Sequence, residues 1–263
     1  MKLKVLIGLL LAGASLLGIG RIVGGRVGTP PSPTQQGQSL LSAQDATPVQ
    51  EGVMNDRQKQ HSRLFSSYKD ATQGRTLHQL VLERGDIQIG RFIGNVRLPA
   101  SFDMEQYLGK LSYDADLIVI GTVRDRSSNL IEDGTFTFSE HSLSAETVLK
   151  DNPAQPVQPN TTITVVRVGG KIKLLGHVVN AIDSSEKPLV TGGRYLLFLK
   201  FIPTTGAYKS LSTSLAESTF KVEGNQVTQV SDQHFPFDNG GSKDLKSLLA
   251  EIGLVLRNPH ALN

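Results

Sequence analysis

Apolar and polar positions divide this chain into segments of different character. Val5 to Gly20 is a 16-residue uncharged, mostly apolar run behind a short basic head containing Lys2 and Lys4. Thr29 to Glu51 has no periodic apolar face and combines four Pro with Gln, Ser and Thr, the composition of a flexible spacer. The polar character continues to about residue 72; Leu64, Phe65 and Tyr68 can make a short helix there but sustain no apolar stripe.

Helical spacing then appears. Leu77, Leu80 and Val81 share one face of a predicted helix that Gly85 ends, and Met104, Tyr107, Leu108 and Leu111 share another, with Ser101 as its expected cap. From Asp116 onward the period becomes that of strands. Asp116–Val123 is β-rich and precedes turn residues Ser127, Ser128 and Asn129. In Thr135–Leu149, Phe136 and Phe138 sit on one parity and Leu143, Ala145 and Leu149 on the other, which predicts a bulge or sharp coil. Thr161–Val168 is a strand, Lys171–Ile182 adds a hairpin or wide loop, and Pro188–Gly193 is a turn. Arg194–Ile202 is apolar on both parities at its start and reads as a strand buried on both faces or at a barrel seam. Ala207–Ser214 follows, then Thr219–Val222, which faces Val227 and Val230 across Glu223-Gly224-Asn225. Leu245, Leu248, Leu249 and Ile252 form one face of a closing amphipathic helix with Ser242 as N-cap.

The expected fold class is therefore mainly β (α+β): an antiparallel OB-like β-barrel of five to seven strands, a helical segment before it and an amphipathic helix after it. The expected divisions are 1–24 as signal peptide or signal anchor, 25–72 as flexible linker, and 73–112 as helical lead-in. Residues 113–231 form the barrel, and 232–263 a turn and the last helix.

The strings ADLIVIGTV (Ala115–Val123), ETVLKD (Glu146–Asp151), TITVVRVGG (Thr162–Gly170) and GGRYLLFL (Gly192–Leu199) follow one another in an order that resembles netrin-like, OB-type barrels. The tissue inhibitors of metalloproteinases are of this kind, as are similar exported bacterial proteins of unknown function. The resemblance covers about 115 of 263 residues and implies the barrel alone. Those inhibitors chelate the protease zinc through an N-terminal Cys and hold the barrel with disulfides. This chain has no Cys, which excludes inhibition by that mechanism and removes Cys-based zinc sites and thiol nucleophiles as well.

Charge refines the picture. The net charge is +3, yet residues 1–30 carry four basic side chains and no acid, so the basic excess belongs to the N-terminal segment and a nucleic-acid partner is not expected. Val5, Leu11, Ala12, Ala14, Gly20 and Arg21 mark that segment as an export signal, cleaved near Ala12–Ala14 or Gly18–Gly20, or kept as a membrane anchor. Either outcome places the protein outside the cell, in the periplasm or on the membrane.

Candidate chemistry is sparse. RIVGG at 21–25 matches the cleavage site of trypsin-like zymogens, but no GDSGG-type loop or His-Cys pair follows, and the motif reads as the charged edge of the export segment. Arg84-Gly85-Asp86 spells an integrin-type tripeptide at a helix end. His61, His78, His141, His177, His234 and His260 show no metal-ligand spacing, and no cofactor is expected. Asp238, Asn239, Gly240 and Gly241 form a candidate ligand loop whose pattern equally suits a turn into a capped helix. The functional expectation is an exported, non-enzymatic binding or structural module for a protein or envelope component. The alternative is an exported hydrolase whose site assembles from dispersed residues such as His141, His177 or His234 with Asp or Ser.

Overall fold

Apolar residues fall on both parities of Leu117–Val123 and Tyr195–Leu199, so strands carrying them need cover on both faces. The computed structural model supplies both covers. It describes residues 45–50, 53–91, 103–211, 218–230 and 242–257. In chain order these contain β1 (Thr47–Pro48), α1 (Asp56–Arg63), a 3-10 helix (Ser66–Thr72), α2 (Leu77–Arg84), β2 (Ile87–Arg91) and α3 (Met104–Asp114). The strands β3 (Leu117–Leu130), β4 (Thr137–Lys150), β5 (Thr162–Val168), β6 (Gly170–Leu174), β7 (His177–Asp183), β8 (Arg194–Ile202) and β9 (Ala207–Ser210) follow. The described chain ends with β10 (Thr219–Glu223), β11 (Gln226–Gln229), β12 (Ser242–Asp244) and α4 (Leu245–Arg257). The fold is β-rich with several helices, as the periodicity predicts.

The larger sheet runs β12-β11-β10-β8-β3-β4-β5-β9, and a smaller one runs β1-β6-β7-β2. Because β9 also pairs with β8, the strands β3, β4, β5, β9 and β8 form a closed circuit of hydrogen bonding, antiparallel except for β5 against β9. Each of these strands contributes to one apolar cluster that includes Leu117, Val119, Leu143, Val165, Leu197 and Tyr208, which marks the enclosed side. The opposite face of β3 and β8 carries Ile118, Ile120, Leu196 and Phe198. Leu108 and Leu111 of α3 and Leu248 and Ile252 of α4 cover it. The closing helix thus packs on a sheet face.

The structure corrects several boundaries. Residues 53–72, expected as spacer, form α1 and the 3-10 helix and lay Phe65 on Phe138 with ring centroids 6.2 Å apart. Apart from Phe65, the residues that α1 and its following turn bury include polar His61 and Ser62, so no apolar stripe signals them. Their local signal is a capping box, in which Asn55 and Gln58 satisfy each other's backbone N–H groups. Ser127–Asn129 is not a turn: β3 continues to Leu130, with Ser128 buried against Ser139 at 2.9 Å. The face switch in Thr135–Leu149 has a different cause from a bulge between Phe138 and Leu143. Both faces are buried, Phe136 and Phe138 under Phe65 and Tyr68, and Leu143 and Ala145 on the enclosed side. The expected irregularity lies further along the strand: the register against β3 skips Glu146 and Leu149 of β4, so that Val148 packs on the enclosed side and Leu149 on the side of α3 and α4, and a third shift falls on β3 between Val123 and Asp125. The lead-in also contains a strand, β2, parallel to β7. Asp103 caps α3, accepting from the N–H groups of Glu105 and Gln106, while Ser101 lies outside the described residues. At α4 the capping side chain is Asp244, which accepts from the Ser247 N–H at 2.9 Å; Ser242 lies in β12.

Candidate functional site

Val5, Leu11, Ala12, Ala14, Gly20 and Arg21, the loop Asp238, Asn239, Gly240 and Gly241, and His234 and His260 all lie outside the described residues. Among the described residues no helix is long and apolar enough to cross a membrane, and no group of three His, Asp or Glu is placed to hold a metal ion. At the Arg-Gly-Asp sequence, Gly85 ends α2 with φ of 74°. The Asp86 carboxylate accepts from the Val178 N–H at 2.9 Å and faces His177 Nδ1 at 3.2 Å, so the tripeptide's acid fastens α2 to the β6–β7 hairpin. His177 therefore serves an exposed structural contact and meets neither Ser nor another His there.

His141 points to the enclosed side near the end of the circuit. It is fully buried, and neither ring nitrogen has a hydrogen-bond partner. Burial, with Arg167 and Arg126 adding like charge, pushes its pKa well below 6.5 and keeps the imidazole neutral. Arg167 stands diagonally across the β4–β5 ladder, where its register partner is Ser139. It is also fully buried, and its Nη1 donates to Ser210 and Thr219 hydroxyls at 2.6 Å each, while Nε and Nη2 have no hydrogen-bond partner. Glu186 Oε1 lies 3.9 Å from that Nε and balances the charge. Arg167 thus links β5 to Ser210 of β9 and Thr219 of β10 from within, and among the described residues no hydroxyl is hydrogen-bonded to the His141 ring.

A second constellation escaped the sequence reading because its members are 79 and 144 residues apart. His61, on α1, lies between Glu140 of β4, 2.6 Å from Nδ1, and Thr205 of the β8–β9 turn, 2.8 Å from Nε2. A carboxylate accepts, so Nδ1 donates to Glu140, and the Thr205 hydroxyl shares a hydrogen bond with Nε2. Arg57 approaches the same carboxylate at 3.6 Å. The order hydroxyl, imidazole, carboxylate is that of a nucleophilic triad. The neighbouring backbone does not complete one, since the N–H groups of Thr205 and Gly206 both donate to the Ile202 carbonyl and leave no donor pair for an oxyanion. The geometry instead ties α1 to two strands of the circuit.

Open space lies beside that tie. The segment carrying β1 is held against β3 by the Thr47 hydroxyl, which accepts from the Ser128 N–H, and by Arg126 Nη2, which donates to the Asp45 carbonyl. Between this segment, α1 and the end of β3 runs a groove of about 600 Å³. Val49, Val53, Met54, Leu130 and Ile131 form its apolar wall, and Gln58, Lys59, His78, Asn129 and Glu132 its polar one. A volume of this size with a few convergent polar groups is what a small-ligand or side-chain pocket needs. The sequence reading missed it because the segment that forms one wall reads as spacer.

No family model matches the chain, and no curated protein matches it.

Proposed function

We propose that this protein is an exported, non-enzymatic binding module of OB-type barrel architecture, with the groove between the β1 segment, α1 and β3 as its recognition site. The observation that carries the reading is the groove itself, a cleft of ligand-binding size whose walls come from the β1 segment, α1, α2 and the end of β3. The barrel rests on the closed circuit β3-β4-β5-β9-β8 and its single parallel pair. Export rests on the apolar run Val5–Gly20 behind Lys2 and Lys4. The partner is a protein or envelope component.

A photo-crosslinking residue at Val53, which is 71% exposed on the groove rim, tests the reading against one at Val190, 62% exposed and outside the groove. Discrete adducts with an envelope or extracellular component are expected from position 53 and not from 190. Equal adducts from both positions, or none from position 53, would overturn it.

The second reading, an exported hydrolase, is favoured by the Thr205–His61–Glu140 order. It requires ester or peptide turnover by the purified protein that His61→Gln abolishes. Turnover absent in the wild type removes it.

A further inference from the structure

Strand β3 pairs with β8 only from Leu117 to Thr122, while its pairing with β4 runs on to Leu130. Beyond Thr122 one edge of β3 therefore has no hydrogen-bonded strand beside it. The register fixes which backbone groups look out from that edge. The Ile131 N–H donates to the Phe136 carbonyl at 3.0 Å, which makes these two residues a hydrogen-bonded pair across β3 and β4. Such pairs alternate with non-hydrogen-bonded ones, so Leu130 opposite Thr137 and Ser128 opposite Ser139 turn their N–H and C=O groups away from β4. The Ser128 N–H agrees with this, since it donates to the Thr47 hydroxyl at 3.2 Å on the β1 side. Two residues on, where β3 and the β1 segment become walls of the groove, the Leu130 N–H and C=O have no hydrogen-bond partner among the described residues. Leu130 is only partly buried, and it lines the groove.

An unpaired strand edge is a template for another strand, and proteins block such edges with charge, Pro or a bulge. The facing β1 segment has such a block. The Val49 N–H goes to the Lys173 carbonyl of β6, so the adjacent residue, Pro48, turns its backbone away from β6 and has no N–H to offer. Leu130 has neither charge nor Pro. The walls select the side chains of what pairs there. Val49, Val53, Met54 and Ile131 are aliphatic, and no Phe, Tyr or Trp lines the groove. Lys59 and Glu132 line it with opposite charges, so neither an anionic nor a cationic occupant is favoured.

We propose that the groove receives an extended, uncharged aliphatic segment of a partner protein, which adds to the free edge of β3 by pairing its backbone with the N–H and C=O of Leu130. Main-chain hydrogen bonds hold the segment, and every second side chain along it faces the aliphatic wall. The inference rests on the reading of this groove as the recognition site and names the chemistry of the partner.

A random peptide display library selected on the full-length protein supplies the probe. Pro-free sequences with Val, Ile or Leu at alternate positions should be enriched. Enrichment of charged or aromatic anchors, or of nothing, would overturn the inference. Strand pairing is then read by N-methylating the enriched peptide one amide at a time, which removes a backbone donor and leaves every side chain in place. Binding measured by calorimetry should fall at least about tenfold at the amide that meets the Leu130 carbonyl and change less at its two neighbours, whose N–H groups point the other way. A flat response along the peptide denies backbone pairing. On the protein side, the Leu130 amide signal in nitrogen-15 NMR should shift on adding the peptide, and its proton should become protected from exchange. An unmoved Leu130 signal also overturns the inference. Adducts from position 53 in any of these events would leave the binding-module reading standing without its strand-pairing mode, whereas their absence would remove both.

Discussion

Buried polar residues here divide by whether their hydrogen-bonding capacity is used, and the division predicts their pH behaviour. His141 is enclosed with both ring nitrogens unpaired, next to Arg167 and Arg126, so the folded chain resists its protonation. In the unfolded chain the same ring takes a proton near its ordinary value of 6.5. Below that pH the unfolded state binds more protons than the folded one, and stability falls by about 1.4 kcal/mol per pH unit until the depressed folded value is reached. Above it the group contributes no slope. Replacing His141 by Leu removes a titrating group that makes no hydrogen bond to lose. Urea unfolding of both proteins at about pH 7.5 and about pH 5.5 should show the wild type losing the larger share of its stability on acidification. Parallel losses in the two proteins would contradict a neutral, enclosed His141. The sequence placed this His in a strand beside Glu140, with alternation sending the two side chains to opposite faces, and that much was legible. Which face was enclosed was not, because it depends on β9 closing onto β5 through the pair Val165–Tyr208.

Elements are joined by single side chains that reach across helix ends, and Lys150 is the clearest instance. Helix α3 stops at Asp114, and its last carbonyls face the sheet with no helical partner. Lys150, at the end of β4, donates Nζ to the carbonyls of Ser112 at 2.8 Å, Tyr113 at 3.1 Å and Ala115 at 2.6 Å. Burial lowers its pKa, and Asp116 and Asp114 oppose that shift while Lys200 adds to it. A cation there also complements the negative end of the helix dipole. Lys150→Met should destabilise the protein by about 1–3 kcal/mol, measured by thermal unfolding. Lys110→Met, on an exposed side chain of α3, should change stability by less than about 0.5 kcal/mol. Equal effects would deny Lys150 its capping role. The string ETVLKD was legible as a strand end, and the strands with strong apolar content were legible throughout, β8 above all. What escaped were β1 and α1, whose residues are polar or Pro, and β2, whose Ile87-Gln88-Ile89 alternation is only three residues long. They are held by pairing to β6 and β7 and by side-chain ties that local pattern does not encode.

At the scale of the whole molecule, the segment from Asp45 to Thr72 acts as a cover that the circuit needs on its outer side. Phe136 and Phe138 are fully buried in the cluster to which Phe65 and Tyr68 contribute, Phe65 against Phe138 and Tyr68 against Phe136. Glu140, on the same face, has its carboxylate taken by His61 and Arg57, both from α1. Removing the cover would expose aromatic surface and leave a largely buried carboxylate without partners, two costs that add because they fall on one face. Burial of Phe65 alone contributes about 2–3 kcal/mol, and an orphaned carboxylate costs about 1–3 kcal/mol more. A chain starting at Gln73 should lose at least about 3 kcal/mol and bind the dye ANS, which reports exposed apolar surface. The same truncation removes Asn55, Gln58 and Lys59, hence one wall of the groove and the orientation of Asn129. If the shorter chain proved as stable as the longer one, α1 and the 3-10 helix would be dispensable ornaments on the circuit, and a recognition site built partly from them would lose its rigid frame.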